Sequence, residues 1–459
     1  MDFSAANTQL WNSVMQTGII AALMLLANVL RQKVAFIRNS LMPTAVLAGF
    51  ILLILRSTGI LRIDAEFLEV VTYHAIALGF IALSLRIPEQ QSRSGALAAS
   101  KNGALIVSTY LVQALVGLAI SLLLAYTFMP DLFKASGILL PMAYGQGPGQ
   151  ANNVGTTYEA LGFTGGRSFG LSLAAAGYLC ACVVGVIYLN VLNRRGKIRR
   201  VFDKDYVTGS ITVDTFQDSN EIPISESVDK LSVQAALVAL IYLLTYLFTL
   251  GITRLLEAVA PGLAATVSTL LWGFNFIVGS LIAVCCRSLF KHLRRFKLMN
   301  HQYQNNYLLS RISGLAFDYM TIAGIASINI SDLAGNWVPF LAMAIIGGIV
   351  TFIYLLAMCR KLYPDYVYEG FFGMFGMLTG TISSGVLLLR EVDPELKTPA
   401  SNDLITGSSF GIAFGIPVLL LISFAAKSEL TVWLSLLLIG IYLAALLLYM
   451  LKAGKGKKK

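Results

Sequence analysis

Long apolar runs separated by short polar connections make up most of the chain. Five such runs, near residues 10–30, 41–59, 67–86, 103–128 and 168–192, precede a polar stretch at 193–230. Six more follow it, near 231–251, 264–286, 308–330, 337–358, 404–425 and 430–451. A run of roughly 20 apolar residues carries a helix across a ~30 Å hydrocarbon layer. The pattern therefore predicts an all-α polytopic membrane protein with eleven crossings. Two further apolar stretches, 135–162 and 368–390, are interrupted by glycine and polar clusters and read badly as simple spans.

Composition sharpens the class. Of 459 residues, 56% are hydrophobic and 13% charged, with a mean hydropathy of +0.73. An ordinary globular domain carries about 25% charged residues, and half that share does not cover a soluble domain of this size. A cytosolic enzyme, a disordered chain and a secreted disulfide scaffold are excluded. The cysteines Cys180, Cys182, Cys285, Cys286 and Cys359 lie within or at the ends of apolar runs and form no CxxC pair. They are expected as small buried hydrophobes.

The net charge of +10 arises from 34 Lys and Arg against 24 Asp and Glu. With the N-terminus outside and each run crossing once, 28 of the 34 basic side chains fall in inside loops and the tail. Arg56, Arg62, Lys134, Arg167, Arg254 and Lys427 remain outside. Cytoplasmic loops concentrate Lys and Arg, so the expected orientation is N-out, C-in. Anionic lipid accounts for the basic tail without a nucleic-acid partner. The start, MDFSAANTQLWNSVMQ, places no positive charge ahead of its apolar run. The first run thus reads as a retained membrane helix and not a cleaved signal.

The stretch 193–230 leaves five spans before it and six after it. Five is odd, so the second set starts on the opposite side of the membrane. Each half has the same order: four spans, a broken stretch and a fifth span. That order predicts inverted five-helix repeats. Residues 1–192 form the first repeat with a re-entrant hairpin at about 135–162, and 193–230 form a cytoplasmic linker. Residues 231–425 form the second repeat, with its hairpin at about 368–390. Residues 426–459, an extra transmembrane helix and basic tail, have no counterpart. The segments ALSLRI at 82–87 and IASINI at 325–330 close the third spans of the two halves and give weak internal support. Inverted repeats with glycine-interrupted segments in matching places point to a secondary transporter. Non-helical backbone at membrane depth is tolerated only where it lines a cavity or lies inside protein.

The two interrupted stretches carry the candidate chemistry. In MAYGQGPGQANNVGTTYE, residues 142–159, Gly145, Gly147, Pro148 and Gly149 do not sustain a helix. Gln146, Gln150, Asn152, Asn153, Thr156 and Thr157 are polar in an apolar neighbourhood. Freed N–H groups at the start of a half-helix suit a carboxylate, and freed carbonyls on the preceding half-helix suit a sodium ion. A polar external loop with ordinary turn glycines is the alternative. In EGFFGMFGMLTGTISSGVLLLRE, residues 369–391, Gly370, Gly373 and Gly376 recur every third residue and permit close helix packing. Thr379, Gly380, Thr381, Ser383, Ser384 and Gly385 then form a polar tip. Its hydroxyls suit a carboxylate or sodium without adding a full charge, and a small-residue packing face is compatible with that role.

Isolated polar residues extend the candidate set. Asp318 lies within the 308–330 run, where a carboxylate is a functional candidate for a coupling cation or a proton; a pair with Arg311 is its alternative. Ser84, Ser327 and Asn329 occupy matching places in the two halves and are candidate ion ligands. His74 reads as an interfacial or packed histidine, and Asn275 as an interhelical hydrogen bond. Glu159 and Glu391 fall in the exit regions of the hairpins. No P-loop, GxSxG, HExxH or histidine cluster occurs. The chain therefore reads as no enzyme and as having no cofactor, with transport energy expected from an ion gradient.

GQGPGQANN at 145–153 and GMLTGTISSG at 376–385, set in two five-span halves joined by the basic stretch 193–230, resemble the bacterial sodium/glutamate symporter family. The likeness covers roughly residues 10–425. Typical members carry GGHGT in the first segment and a histidine with a TPT-like tip in the second. Here Gln146 stands where a histidine is expected, and the second tip reads Thr381, Ile382, Ser383. The resemblance implies sodium-coupled uptake of L-glutamate by alternating access, in the cytoplasmic membrane of a bacterium. It also implies a mobile core holding both hairpin tips, packed against a scaffold that forms a homodimer. Substrate contacts are then expected at Gln146, Gly147, Gly149, Gln150, Asn152, Asn153, Thr379, Thr381, Ser383 and Ser384. Sodium, the only metal expected, falls to Ser84, Asp318, Ser327, Asn329 and Gly380. A sodium-coupled carrier of citrate or another organic anion stays open, as does a channel.

Overall fold

In lipid, backbone N–H and C=O groups find no water, so a spanning chain closes them within helices. The computed structural model describes residues 3, 4, 7–87, 93–198, 230–259, 268, 271, 272, 275–299, 301–393 and 398–452. Its helices are α1 (Thr8–Lys33), α2 (Ala35–Asn39), α3 (Thr44–Ser57), α4 (Ala65–Leu85), α5 (Arg93–Thr127), α6 (Leu139–Tyr144), α7 (Pro148–Ala160) and α8 (Gly166–Arg194). They continue with α9 (Lys230–Val259), α10 (Asn275–Arg295), α11 (Asn306–Ala326), α12 (Trp337–Leu362), α13 (Val367–Thr379), α14 (Ile382–Arg390), α15 (Ala400–Ala425) and α16 (Glu429–Lys452). Short 3-10 turns occupy Lys134–Ile138 and Ile330–Leu333. No strand occurs among the described residues.

Eight of these helices are long and apolar enough to cross a membrane: α1, α4, α5, α8, α9, α10, α12 and α16. Their outward faces are greasy. Ile345, Ile349 and Ile353 on α12, and Leu430, Leu434, Leu437 and Ile441 on α16, are exposed. Lipid tails satisfy such faces where water would not. The chain is an all-α polytopic membrane protein.

Several boundaries differ from the hydropathy pattern: α5 begins before its run, at Arg93, and α9 continues past its run to Val259. The 41–59 run holds only the 14-residue α3. Pro43 starts it, and the chain turns away at Gly59, whose φ of +74° suits a residue without a side chain. The 308–330 run ends at Ala326, because Asn329 turns the chain and caps the following 3-10 turn with its side chain. Within the 264–286 run the described helix begins at Asn275 and continues to Arg295, while residues 264–267 lie outside the described residues. So do 199–229 of the central linker and 453–459 of the basic tail.

The chain forms two compact units that cut across the two sequence halves. One comprises Met1–Leu68, Gln91–Phe202 and Thr321–Lys459; the other comprises Glu69–Gln90 and Asp203–Met320. In the smaller unit, Ile81, Ala82, Leu85, Val238, Ile241, Ala283 and Leu309 form the core. Gly279 lets α10 approach Ile81 of α4, where an added Cβ would lie 2.8 Å from its Cδ1. Arg287 donates to the carbonyls of Ser84 and Arg86 at 3.1 and 2.9 Å. A cation thereby caps the C-terminal end of α4, which carries the negative end of the helix dipole.

In the larger unit, α5 packs against α6, α12, α15 and α16. Its glycines set the spacing. A Cβ on Gly117 would sit 2.0 Å from the carbonyl oxygen of Gly137, and one on Gly103 would sit 2.9 Å from the backbone nitrogen of Gly411 in α15. The last helix, expected from sequence as an addition, docks along this group. Tyr449 shares a hydrogen bond with Ser100 at 2.6 Å, and Tyr442 donates to the Phe414 carbonyl at 2.7 Å. At its other end Lys134 pairs with Glu429 at 2.7 Å, and the Tyr126 hydroxyl donates to the same carboxylate.

Gly117→Ala is expected to push α5 off the 134–138 turn and to lower the thermal unfolding midpoint of the purified protein, an overpacking effect of about 1–3 kcal/mol. Gly251→Ala, with nothing within 4 Å of the new methyl, should hold or raise that midpoint. Equal midpoints for the two variants would contradict the packing described.

Candidate functional site

Both interrupted stretches fold as two helices with a break between them, and both lie in the larger unit. In the first, α6 ends at Tyr144 and α7 begins at Pro148. Gly147 adopts φ +84°, a left-handed conformation open to glycine, and Pro148 follows at the first helical position, where its missing N–H is no loss. The amides of Gly149 and Gln150 stand in the first turn of α7, where no intrahelical acceptor exists. In the second stretch, α13 ends at Thr379, Gly380 breaks the helix, Thr381 is extended, and α14 begins at Ile382.

The two breaks meet. The position a Cβ would take on Gly147 lies 3.7 Å from the Gly380 carbonyl oxygen, 3.7 Å from Thr381 Cγ2 and 3.9 Å from the Tyr178 hydroxyl. Tyr178, 1% exposed on α8, stands beside both breaks, and its hydroxyl lies 3.5 Å from Thr321 Oγ1. The neighbouring Gly177 lets α8 pass close to the second break. A Cβ there would fall 2.3 Å from the Thr379 carbonyl oxygen and 2.9 Å from the Tyr144 ring. Gln113 of α5 donates to the Leu378 carbonyl at 2.9 Å and to Thr351 Oγ1 at 3.1 Å. It thus satisfies one of the carbonyls that the end of α13 leaves open.

Around this meeting point, polar groups are buried without partners. Gln150 is 0% exposed, and neither its Nε2 nor its Oε1 has a hydrogen-bond partner. The same holds for Asn153 Nδ2 and Ser384 Oγ. An unsatisfied buried polar atom costs on the order of 1–3 kcal/mol, so groups left this way in the first turns of α7 and α14 are suited to an occupant. Asn152 is occupied already: its Oδ1 accepts from Arg167 Nε at 2.9 Å, which brings a guanidinium to the flank of α7. Two half-helix starts supply positive dipole ends, and the Gly380 carbonyl supplies an oxygen. Such a place suits an anion beside a small cation.

The remaining candidates are distributed as follows. Gln146 is half-buried and Gly149 buried, both at the first break. Thr379 donates to the Phe375 carbonyl at 2.7 Å within its own helix, and Thr157 to the Asn153 carbonyl at 2.8 Å. Thr156 is exposed. The side chain of Ser383 lies outside the described residues. Of the residues assigned to sodium, Gly380 alone sits at the breaks. Ser327 donates back to the Gly324 carbonyl at 2.9 Å. Asn329 is exposed and donates to Asp332 at 2.8 Å, while its backbone N–H donates to Ser168 at 3.2 Å. Ser84 and Asp318 belong to the smaller unit. There Ser84 Oγ is buried without a partner, and Asp318 is exposed. Arg311, weighed as its partner, lies 4.9 Å over the Tyr307 ring. His74 bonds the Tyr242 hydroxyl at 2.6 Å, and Asn275 donates to that hydroxyl at 3.2 Å.

Gln113, Tyr178, Thr321 and Arg167 were not singled out from sequence. Gln113 had a usable signal, as a lone amide inside the apolar 103–128 run. Tyr178 had none that separates it from other aromatics. The chain matches no protein-family model, and no curated protein matches it in sequence.

Replacing a buried group that lacks a partner removes a penalty. Gln150→Leu and Ser384→Ala are expected to hold or raise stability, by up to about 1–3 kcal/mol. Tyr144→Phe, which deletes a 2.6 Å bond to the Ala344 carbonyl, should lower it by about 1 kcal/mol. Thermal unfolding in detergent measures all three, and a large loss for Gln150→Leu would show that the amide is already paired.

Proposed function

We propose that the protein is a secondary active transporter that takes up L-glutamate with sodium by alternating access. The observation that carries this reading is the approach of Gly147 to Gly380 and Thr381, amid buried amide and hydroxyl groups that lack partners. Broken helices whose half-helix ends face a common point are the device by which inverted-repeat carriers hold an anion and its coupling ion. The element order supports such repeats. Helices α1, α3, α4 and α5 precede the first broken pair and α8 follows it, while α9, α10, α11 and α12 precede the second and α15 follows that. Arg167 at Asn152 favours a substrate with a second carboxylate, since it adds a positive pole to the same helix. A citrate-type or other dicarboxylate carrier shares all of these supports, and competition ranks the substrates. The basic inner loops support an N-out, C-in orientation in a bacterial cytoplasmic membrane.

In this scheme the carboxylate rests on the amides and side chains of 147–153 and on the hydroxyls of Thr381, Ser383 and Ser384. Sodium rests on freed carbonyls such as that of Gly380. Labelled glutamate should accumulate in proteoliposomes under an inward sodium gradient and not under an equal potassium gradient. Flux independent of sodium, or no flux, overturns the reading. Gln150→Ala and Ser383→Ala should each raise the apparent glutamate or sodium constant about tenfold, the effect of one lost hydrogen bond of ~1.4 kcal/mol. Insertion into the membrane should be unchanged, and wild-type constants in both variants would remove these residues from the site.

A further inference from the structure

Among the described residues two carboxylates are buried, Asp393 and Asp403, and Asp393 is held by the Thr398 N–H and hydroxyl. Asp403, 8% exposed, lies in the first turn of α15. Its Oδ1 accepts from Asn102 Nδ2 of α5 at 2.7 Å, and its Oδ2 accepts from the Tyr366 hydroxyl at 2.7 Å. The Tyr363 hydroxyl donates to Asn102 Oδ1 at 2.9 Å, which turns the amide NH2 toward the carboxylate. The two tyrosine rings stack with centroids 5.1 Å apart. Among the described residues, the other ionisable groups acting on this cluster are Cys359 and Asp365, and neither is a cation. The ion pair found among the described residues, Lys134–Glu429, does not involve Asp403.

A buried charge with no opposite charge is unfavourable, and two neutral donors with the positive end of α15 offset only part of that. A sodium ion needs several oxygens around it, and the Asn102 nitrogen holds one flank of this carboxylate. A proton needs only a rotation of the Tyr366 hydroxyl, after which the acid donates to the tyrosine oxygen.

The cluster also grips the helix that carries the second break. Tyr366 immediately precedes α13, and its carbonyl accepts from the Gly370 N–H at 3.0 Å. The Tyr363 ring lies against Gly370, where a Cβ would fall 2.5 Å from its Cδ2. Leu404, next to Asp403, packs on Gly373, and Ser408 reaches the Met377 sulfur at 3.7 Å. Hydrogen bonds to an ionised acceptor are roughly twice as strong as neutral ones. We propose that Asp403 is a proton-binding site, and that protonation there loosens the start of α13 and so frees the second break to move. The proton site stands on this cluster alone, whereas its effect on flux rests on the transport reading.

Infrared difference spectra of the full-length protein in lipid nanodiscs test the first part. As pH falls from about 8 to about 5, carboxylic-acid absorbance is expected to grow more in the wild type than in Asp403→Asn, the difference being the Asp403 band. A band unchanged by the substitution overturns the proposal. Tyr366→Phe keeps the ring and deletes a donor to the charged form, so the band's midpoint should move up by about one pH unit; an unmoved midpoint also overturns it. Sodium-driven glutamate uptake, with pH equal on both sides of the vesicle, tests the second part. The wild-type rate should rise several-fold over the same fall in pH, and the rate of Asp403→Asn should be flat. A variant that keeps the wild-type slope overturns the link to α13. A titrating band with no wild-type flux at any pH refutes the transport reading and supports the proton site.

Discussion

Within a bilayer, a backbone group without a partner is costly, and a helix break exposes several at once. This chain makes two such breaks and sets them against each other. Gly147 provides a left-handed turn that most side chains would strain, and Gly177 provides the space for α8 to pass. Gln113 reaches across from the middle of α5 to bond the Leu378 carbonyl. The helices around the breaks are therefore placed by backbone satisfaction as much as by apolar packing. Gln150, Asn153 and Ser384, beside the breaks, are among the buried residues with unsatisfied polar atoms; others, such as Ser84, Thr249 and Asn275, lie elsewhere.

The arrangement is polar and nearly uncharged. Amides, hydroxyls and helix ends present partial charges, which lipid and neighbouring helices tolerate better than full ones. The full charges stand back. Arg167 acts through Asn152, and Asp403 sits at the far end of α13 from the break, held by an amide and a phenol. On the proposed reading, a neutral site suits an ion pair that must be released again, because no fixed charge of the protein neutralises the cargo outright. Uptake of an anion together with sodium suits it for that reason.

Much of this was legible in the sequence, and the rest was hidden for physical reasons. Glycine and proline act locally, so Gly145 to Gly149 and Gly380 marked both breaks to within a residue or two. Apolar run length located α4, α5, α8, α9, α12 and α16. Run length did not reveal where α11 stops, because the end is set by Asn329, whose side chain accepts from the Ser331 N–H and donates to Asp332 in competition with the helix. Matching positions in two repeats grouped Ser84 with Ser327 and Asn329, yet Ser84 falls in the smaller unit and the other two in the larger. Pairings across hundreds of residues, such as Gln113 with Leu378 or Asn102 with Asp403, carry no local signal at all.

On the proposed reading, the two breaks together form one binding site for an anion and sodium. Ligand-induced thermal stabilisation of the purified protein tests it most directly, since a ligand at a hundred times its Kd adds about 2.7 kcal/mol to the folded state. Glutamate should stabilise the wild type in sodium and not in potassium, and Gly147→Val and Thr381→Val should each abolish the shift. A shift of equal size in either variant, or one indifferent to sodium, would contradict the account.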